Sequence, residues 1–363
     1  MASRRLQAQL ADGRDIFYFD DASSTLPAVR KLDSRPSSER PPVAQMRLDS
    51  LTGDWISVAA HRHARAFLPP ASECPLCPST ESFSSEIPDR FDVAVFENKS
   101  PSFGPDLAQV DDQNYALEPN LKLGAVRDSI GRCEVVVFSP EHEGSVASLP
   151  IERIETIIDA WTDRTDHLLG LPGVRTVFPF ENRGQDIGVT LHHPHGQIYA
   201  YPYVTPTHEK ILNSIKNFGS DLFAKTLEFE QTGERVILAG ENFTVFVPFA
   251  GRWPIEIMIL PHRHVTSFVG LNEDERKELA SVYSRTLKAV DALYDSPTPY
   301  IAAWHQAPQV AGGENMRFHF RLTSPRRAAD KLKYLAGSES AMGAFIADFP
   351  QETTAARLRE VMP

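Results

Sequence analysis

A weak internal repeat is the feature that most constrains how this chain can fold. Residues 133–202 and 255–322 share the same order: a β-rich segment, a turn, a helical pattern, and a second β-rich segment. Each copy then ends in a β-rich segment with a His-x-(His or Arg) pattern. Units of this kind bury their apolar faces by packing together. The repeat therefore predicts an α+β fold, with antiparallel sheets and with helices packed on one side.

The helical segment of each copy has apolar residues at helical spacing. In the first copy these residues are Ile151, Ile154, Ile157, Ile158 and Trp161. In the second copy they are Leu279, Val282, Leu287 and Val290. Asn272 and Glu275 precede the second set with the spacing of a capping box, which marks a helix start. Both segments are therefore predicted to be amphipathic helices that cover a sheet.

The composition predicts a soluble chain with an N-terminal arm and two larger parts. Of its 363 residues, 42% are apolar, which is enough for a sizeable core, and no apolar run is long enough to span a membrane. Residues 1–45 are polar and interrupted by Pro and Ser, so they are predicted to be a loosely ordered N-terminal arm that docks through DIFYFD at residues 15–20. The two repeat copies divide the remainder into parts at 46–205 and 206–363.

Charge and cysteine content narrow the partners and the compartment. The net charge of −11 argues against a nucleic acid or an anionic membrane as a partner, although a local basic pocket for one phosphorylated molecule remains compatible with it. The basic start of the chain is not followed by the apolar stretch of a signal peptide. With only three cysteines, a disulfide framework is a poor explanation, so we expect a cytoplasmic protein.

Cys74 and Cys77 form a CxxC pair that supplies half of a tetrahedral metal site. His142 and His193 lie near the ends of β-rich segments and would complete a closed, structural Cys₂His₂ zinc site. The alternative is that the cysteines are buried thiols and that His142 is a surface turn residue; spacing alone does not decide between these. A redox role is disfavoured because no helix start follows the pair. Cys133 is interpreted as a small core residue.

The stretch LHHPHGQ at residues 191–197 contains a candidate nucleophile. In an extended strand His193, His195 and Gln197 project from one face, and Gly196 leaves room for a ligand near the backbone. If His193 binds metal, His195 remains for chemistry: its imidazole would attack phosphorus while the Gln197 amide stabilises a phosphoryl oxygen. A general-base role towards water is the competing chemistry. A purely structural histidine is disfavoured by the three clustered histidines beside Gly and Gln.

Several separated motifs carry a resemblance to a known family. They include RLDSLTGDWISVAAHRHAR, CPLC, FEN before Lys99, FSPEH, FENRGQDIG, HPHGQIYA, WHQAP with GGEN, and AGSES, and they span most of the chain from Arg47 onward. HPHGQ resembles the histidine-triad superfamily of nucleotide hydrolases and transferases. The ordered set is most similar to the galactose-1-phosphate uridylyltransferase family. The resemblance implies two fused histidine-triad-like halves, in agreement with the repeat.

The resemblance also implies a reaction. His195 would attack the α-phosphorus of UDP-glucose and release glucose 1-phosphate, and galactose 1-phosphate would then take the uridylyl group to give UDP-galactose. Gln197 would hold the uridylyl phosphate. The implied partners are a UDP-hexose and a hexose 1-phosphate, with no nucleic acid and no membrane, and the implied assembly is a homodimer with active sites near the interface. The implied Zn²⁺ ligands are Cys74, Cys77, His142 and His193.

Further binding residues are implied by the same motifs. Arg62 and Arg65 would lie near the substrate phosphates, and Leu76 and Asn98 would lie around the uridine. Asn182 and Thr190 would contact the diphosphate. Lys333 and Glu339 would contact the hexose 1-phosphate.

Three departures from the family pattern put part of this in doubt. First, a second metal is often held by a glutamate and three histidines; two of these histidines match His305 and His319, but the third position is Arg321. Second, the glutamate can be placed at Glu209 only with a small gap. A guanidinium cannot bind metal, so we expect this site to be empty or weak, with Arg321 paired to Glu209. Third, the segment AGSESAMGAF leaves the hexose preference open. The alternative is therefore a related enzyme that transfers adenylyl groups, either a sugar-1-phosphate nucleotidyltransferase or a nucleotide phosphorylase. A simple hydrolase and a silent nucleotide-binding module fit the motifs less well.

Overall fold

The computed structural model describes residues 3–37, 44–59, 68–104 and 123–363. The strands are β1 (Arg4–Gln9), β2 (Asp15–Asp20), β3 (Gln45–Leu48), β4 (Trp55–Val58), β5 (Val93–Glu97), β6 (Val126–Asp128), β7 (Arg132–Val137), β8 (Thr176–Arg183), β9 (His195–Tyr201), β10 (Val236–Ala239), β11 (Phe243–Phe246), β12 (Ile255–Pro261), β13 (Tyr300–His305), β14 (His319–Ser324), β15 (Arg326–Ala328) and β16 (Lys331–Leu332). The α-helices are α1 (Ile151–Leu169), α2 (Pro206–Phe218), α3 (Leu222–Gln231), α4 (Glu273–Ala292), α5 (Gly337–Met342) and α6 (Gln351–Val361).

One 11-stranded sheet organises the molecule, in the order β1-β2-β5-β7-β9-β8-β13-β14-β12-β11-β10. Neighbouring strands throughout this sheet are antiparallel. Its centre is the β8–β13 pair, and the order β7-β9-β8 on one side mirrors β12-β14-β13 on the other. The two repeat copies are thus joined edge to edge. The predicted α+β class, with antiparallel pairing and paired halves, is confirmed.

The main core lies between one face of this sheet and helices α1 and α4. The helix residues that the periodicity assigned to the core are buried there, including Ile157, Trp161 and Leu279, and the rings of Trp161 and Trp304 are 5.8 Å apart. Ile151 is the exception: it is the first residue of α1 and is 39% exposed. Helix α4 begins with the predicted capping box: the Glu275 amide donates to Asn272 Oδ1 at 2.9 Å, and the Asn272 amide donates to Glu275 Oε2 at 2.8 Å. The predicted helical layer is therefore present on this face.

The opposite face is covered differently in each half. Helices α2 and α3 pack there on the C-terminal half, where Ile215 and Leu227 join Phe246 and Leu260. On the N-terminal half the cover is the CxxC loop, whose Leu76 packs in a second apolar cluster. The helices are consequently not confined to one side, and the loop-covered half leaves room for a cavity.

The structure differs from the predicted loosely ordered N-terminal arm. Within residues 1–45, strands β1 and β2 form a hairpin that extends the main sheet, with β2 paired to β5. Strand β2 is buried on both faces: Phe17 and Phe19 enter the main core, whereas Ile16 and Tyr18 enter the second cluster. The arm is polar overall but includes one short apolar strand, β2, and its neighbours β1 and β5 determine its burial.

Candidate active site

Strand β9 positions the predicted nucleophile beside a cavity of about 580 Å³. Its burial alternates, so that His195 and Gln197 face the cavity side while Ile198 enters the core. Pairing with β7 and β8 fixes the strand on both edges. Six predicted site residues line this one cavity: Leu76, Asn98, Asn182, Thr190, His195 and Gln197.

The His195 ring is held in one tautomer. Its Nδ1–H donates to the carbonyl oxygen of His193 at 2.7 Å, which leaves the Nε2 lone pair available. Burial lowers the pKa of His195 below its ordinary value, and the bond to the His193 carbonyl only partly offsets this. The imidazole is therefore neutral at pH 7, which is the form that can attack an electrophile.

Gly196 and Gln197 follow His195 on strand β9 and point to opposite sides of it. The Oε1 atom of Gln197 is buried and has no hydrogen-bond partner among the described residues, so its amide group is available to a ligand. A Cβ on Gly196 would lie 2.7 Å from Phe138 Cζ and 2.8 Å from the Phe180 carbonyl oxygen. The glycine is thus required by packing behind the strand, whereas the sequence had suggested clearance for a ligand.

Cys74, Cys77, His142 and His193 come together as predicted, and their ligand atoms all lie within 4.8 Å of one another. His193 Nδ1 is 3.7 Å from Cys74 Sγ and 3.4 Å from Cys77 Sγ, and His142 Nδ1 is 3.6 Å from Cys77 Sγ. Zinc bonds of about 2.3 Å to sulfur and about 2.0 Å to nitrogen, at tetrahedral angles, separate sulfur from nitrogen by roughly 3.5 Å. The donor set therefore fits a tetrahedral metal ion.

A hydrogen bond outside this cluster supports the same interpretation. His193 Nε2–H donates to the carbonyl oxygen of Ser139 at 2.8 Å, which leaves Nδ1 free to bind metal and orients the ring. The His193 carbonyl in turn accepts from His195. One residue thus links the candidate metal centre to the candidate nucleophile.

The predicted pairing of Arg321 with Glu209 is wrong. Arg321 forms an ion pair with Glu256 on the adjacent strand β12, whereas Glu209 is exposed on α2. The preceding residue, His208, points inward instead, and its Nε2 lies 3.3 Å from His305 Nδ1. A helix turns by about 100° per residue, so neighbours cannot share one direction.

The predicted second metal position thus contains His208, His305 and His319. The rings of His305 and His319 stack at 4.8 Å, and burial lowers the pKa of all three. His319 Nδ1–H donates to the Arg317 carbonyl at 2.9 Å. Among the described residues, only the cysteine-containing cluster brings three or more such ligands within metal-binding distance.

Lys333 and Glu339 are not brought to this cavity. They form a buried ion pair with each other at 2.8 Å, and the Lys333 ammonium also donates to the Arg252 carbonyl at 3.0 Å. The hydrogen bond from Lys333 is the main cause that lowers the pKa of Glu339 to about 2. Arg62 and Arg65, the remaining predicted binding residues, lie outside the described residues.

The cavity also includes residues that the sequence did not single out. Glu86, Phe96 and Lys99 line it. Phe96 is the first residue of the FEN motif and Lys99 follows it, so this motif was the available signal for both. Glu86 lies in a serine-rich loop that carries no local signal, and only the tertiary structure brings it to the cavity.

Comparisons with known proteins agree over nearly the whole chain. The family profiles "Galactose-1-phosphate uridyl transferase, N-terminal domain" and "C-terminal domain" match residues 36–205 and 205–362. A galactose-1-phosphate uridylyltransferase of Streptomyces lividans is 38% identical, with 99% of this chain and 98% of the relative covered. A galactose-1-phosphate uridylyltransferase of Thermotoga maritima is 34% identical, with 87% of this chain and 98% of the relative covered.

Solved structures support the same assignment. A uridylyltransferase structure superimposes with a TM-score of 0.75 at 31% identity, covering 87% of this chain and 98% of that one. The structure of an ADP-glucose phosphorylase from Arabidopsis thaliana superimposes with a TM-score of 0.66 at 22% identity. The match covers 88% of this chain and 99% of that one and shows that the two share a fold. No described helix is long and apolar enough to cross a membrane. This chain belongs to the galactose-1-phosphate uridylyltransferase family.

Proposed function

We propose that the chain transfers a uridylyl group from UDP-glucose to galactose 1-phosphate through a covalent intermediate on His195. The observation that carries this proposal is a neutral imidazole whose Nδ1–H is held by the His193 carbonyl and whose Nε2 lone pair is free in the cavity. Gln197 lines the same cavity with an unpartnered amide oxygen, and because a flip of the amide exchanges its oxygen and its NH₂ group, that position can be occupied by a donor to a phosphoryl oxygen.

The first step forms a bond between Nε2 of His195 and the α-phosphorus. The bond from that phosphorus to the bridging oxygen breaks, and glucose 1-phosphate leaves with the electron pair. In the second step a phosphate oxygen of galactose 1-phosphate attacks the same phosphorus, the phosphorus–nitrogen bond breaks, and the neutral imidazole returns. Gln197 donates its amide hydrogen to a phosphoryl oxygen in both steps. The His193 carbonyl keeps accepting from Nδ1–H and so stabilises the positive charge on the modified ring.

The other cavity residues are proposed to bind the donor. Leu76 and Asn98 contact the nucleoside, and Asn182 and Thr190 contact the diphosphate, since they line the cavity that contains His195. Arg62 and Arg65, although outside the described residues, are proposed to neutralise the substrate phosphates.

The cysteine and histidine cluster is proposed to hold one Zn²⁺ in a structural role. All four positions are protein ligands, so the ion has no open position for substrate. Its contribution is to fix the CxxC loop, which carries Leu76, and to fix His193, whose carbonyl orients His195. We propose that the second position, with His208 beside His305, binds metal weakly or not at all because Arg321 contributes a positive charge there.

A cytoplasmic homodimer is proposed as the working form. Lys333 and Glu339 lie away from the cavity of their own chain, on a segment that exposes Tyr334 (79%) and Met342 (81%). Exposed apolar side chains of this size mark interaction surfaces. In the proposed dimer this segment reaches the cavity of a second copy and binds the hexose 1-phosphate.

The test is capture of the covalent intermediate. The protein is incubated with UDP-glucose labelled in the uridylyl phosphate and then quenched; an acid-labile labelled protein is expected, and galactose 1-phosphate should discharge the label. His195→Ala should form none, whereas His192→Ala, which removes an exposed neighbouring histidine that does not line the cavity, should label normally. Absence of label on the unaltered protein would refute the mechanism. Labelling by ADP-glucose in preference to UDP-glucose would favour the adenylyl alternative.

A further inference from the structure

The N-terminal hairpin, residues 4–20, lies before residue 36, where the family profile begins. The Thermotoga relative is covered over 98% of its length by 87% of this chain, whereas the Streptomyces relative matches 99% of this chain. The hairpin is therefore an addition to the region that the profile describes. Its position beside β5 brings it close to the wall of the cavity that contains His195.

Arg14, at the turn of the hairpin, connects it to that wall. The side chain is 3% exposed, and its Nε–H donates to Asp12 Oδ2 at 2.8 Å within the turn. Nη2 donates to Glu86 Oε2 at 2.5 Å, and Nη1 donates to the Glu97 carbonyl oxygen at 2.7 Å. One guanidinium thus joins the hairpin to two separate segments of the cavity wall.

Both segments carry residues proposed to bind the nucleoside. Glu86 itself lines the cavity, and its backbone amide donates to the Pro75 carbonyl at 2.9 Å, directly before Leu76. The Glu97 carbonyl is part of the peptide bond to Asn98. A shift of Glu86 would therefore be transmitted to the CxxC loop, and a shift of the Glu97 carbonyl would move the backbone of Asn98.

Further contacts of the N-terminal residues support the same wall. Arg35 Nη2 donates to the Glu86 carbonyl oxygen at 3.2 Å, so Glu86 is held through its backbone as well as its carboxylate. Ile16 and Tyr18 pack in one apolar cluster with Leu76 and Phe96. The N-terminal residues therefore form a supporting layer directly behind the nucleoside end of the cavity.

We propose that Arg14 is a positioning residue for binding of the donor nucleotide, which acts through Glu86 and the Glu97–Asn98 backbone. This inference rests on the proposed function, because it takes the nucleoside of UDP-glucose as the ligand of that wall. Arg14 preorganises the wall before the donor arrives. Lysine cannot replace it, since one ammonium group cannot reach all three partners with the geometry of a guanidinium.

The test measures UDP-glucose affinity by calorimetry in the full chain with His195→Ala, which prevents turnover. Arg14→Ala, Arg14→Lys, Glu86→Gln and the Arg14→Lys/Glu86→Gln double variant are compared. The matched control is Arg4→Ala, because Arg4 forms an ion pair within the hairpin, with Asp20, and donates to the Leu26 carbonyl, away from the wall. Both Arg14 variants are expected to weaken binding about tenfold, as for loss of a buried charged hydrogen-bond partner, and Arg4→Ala by less than about twofold.

A kinetic readout separates positioning from general stability. With His195 intact, Arg14→Lys is expected to raise KM for UDP-glucose while leaving kcat and the KM for galactose 1-phosphate within about twofold. The effects of Arg14→Lys and Glu86→Gln on affinity are expected to be less than additive, because they act through one contact. Glu86→Gln keeps the shape of the loop and so tests the same contact if Arg14→Ala fails to fold.

The outcomes distinguish this inference from the function on which it rests. If the His195→Ala parent does not bind UDP-glucose, the proposed function fails, and the inference fails with it. If the parent binds but the Arg14 and Glu86 variants match Arg4→Ala in affinity, with only their melting temperatures lowered, Arg14 is a structural residue and the positioning role alone is overturned.

Discussion

Replacing Glu181 by glutamine should make the protein more stable at alkaline pH. Glu181 lies on β8 with its side chain 4% exposed, and it accepts hydrogen bonds from Tyr300 Oη at 3.1 Å and from Tyr283 Oη at 3.4 Å. Burial raises its pKa from 4.5 to about 7; the charge of Arg183 and the two tyrosine hydroxyls offset this only in part, and the nearby Asp291 adds to it. The carboxyl is thus kept neutral in the folded protein over a range where the unfolded chain ionises.

The size of the effect follows from this pKa difference. The unfolded chain releases the proton through pH 4.5, whereas the folded protein retains it up to about pH 7. The contribution of Glu181 to the free energy of unfolding is therefore fully present at low pH and is lost as the pH rises from 4.5 to about 7. The interval corresponds to about 3 kcal/mol at roughly 1.4 kcal/mol per pH unit, and most of it falls between pH 5 and pH 8.5.

Urea unfolding of zinc-saturated protein at pH 5 and pH 8.5 measures this contribution. The free energy of unfolding of Glu181→Gln minus that of the unaltered protein should rise by roughly 2–3 kcal/mol between the two pH values. Histidines with lowered pKa contribute equally to both proteins and cancel in the difference. Glu360→Gln, at an exposed carboxylate, is the control and should show no such rise. Parallel pH profiles for Glu181→Gln and the unaltered protein would refute the reasoning.

Three further perturbations test other parts of the structure. Cys77→Ser should lower bound zinc from one ion per chain by metal analysis and should lower the melting temperature, whereas a zinc content unchanged by the substitution would contradict the assigned site. Glu134→Gln should cost about 3 kcal/mol in urea unfolding, because Arg164, 2% exposed, loses the carboxylate that it contacts at 2.8 and 2.9 Å and keeps the longer ion pair with Asp163, at 3.5 Å, as its charged partner. Co-expression of His195→Ala and Glu339→Ala chains should restore about a quarter of wild-type activity, since half of the dimers would be mixed and each would have one intact site; no restoration would argue against sites shared between chains.

The histidine strand shows how much the sequence determined alone. The shared direction of His195 and Gln197 follows from the two-residue period of a strand, which is a local property of the backbone. His193, which was expected on the same strand face, lies in the bend before β9, where its ring reaches the cysteine pair. The core faces of α1 and α4 follow from the helical period, which is local as well. The repeat placed these elements in the same order twice, and the paired halves of the sheet follow from that order.

The positions that required the tertiary structure depend on contacts between distant residues. Nothing near Glu209 in the sequence indicates that His208 points inward, because the direction of each residue depends on how α2 is rotated against the sheet. Arg321 pairs with Glu256 because β14 and β12 are neighbours, and their sequence separation hides this. Local periodicity therefore determined the strand that carries the proposed nucleophile, whereas the contact of Arg14 with Glu86 was decided only when the chain packed.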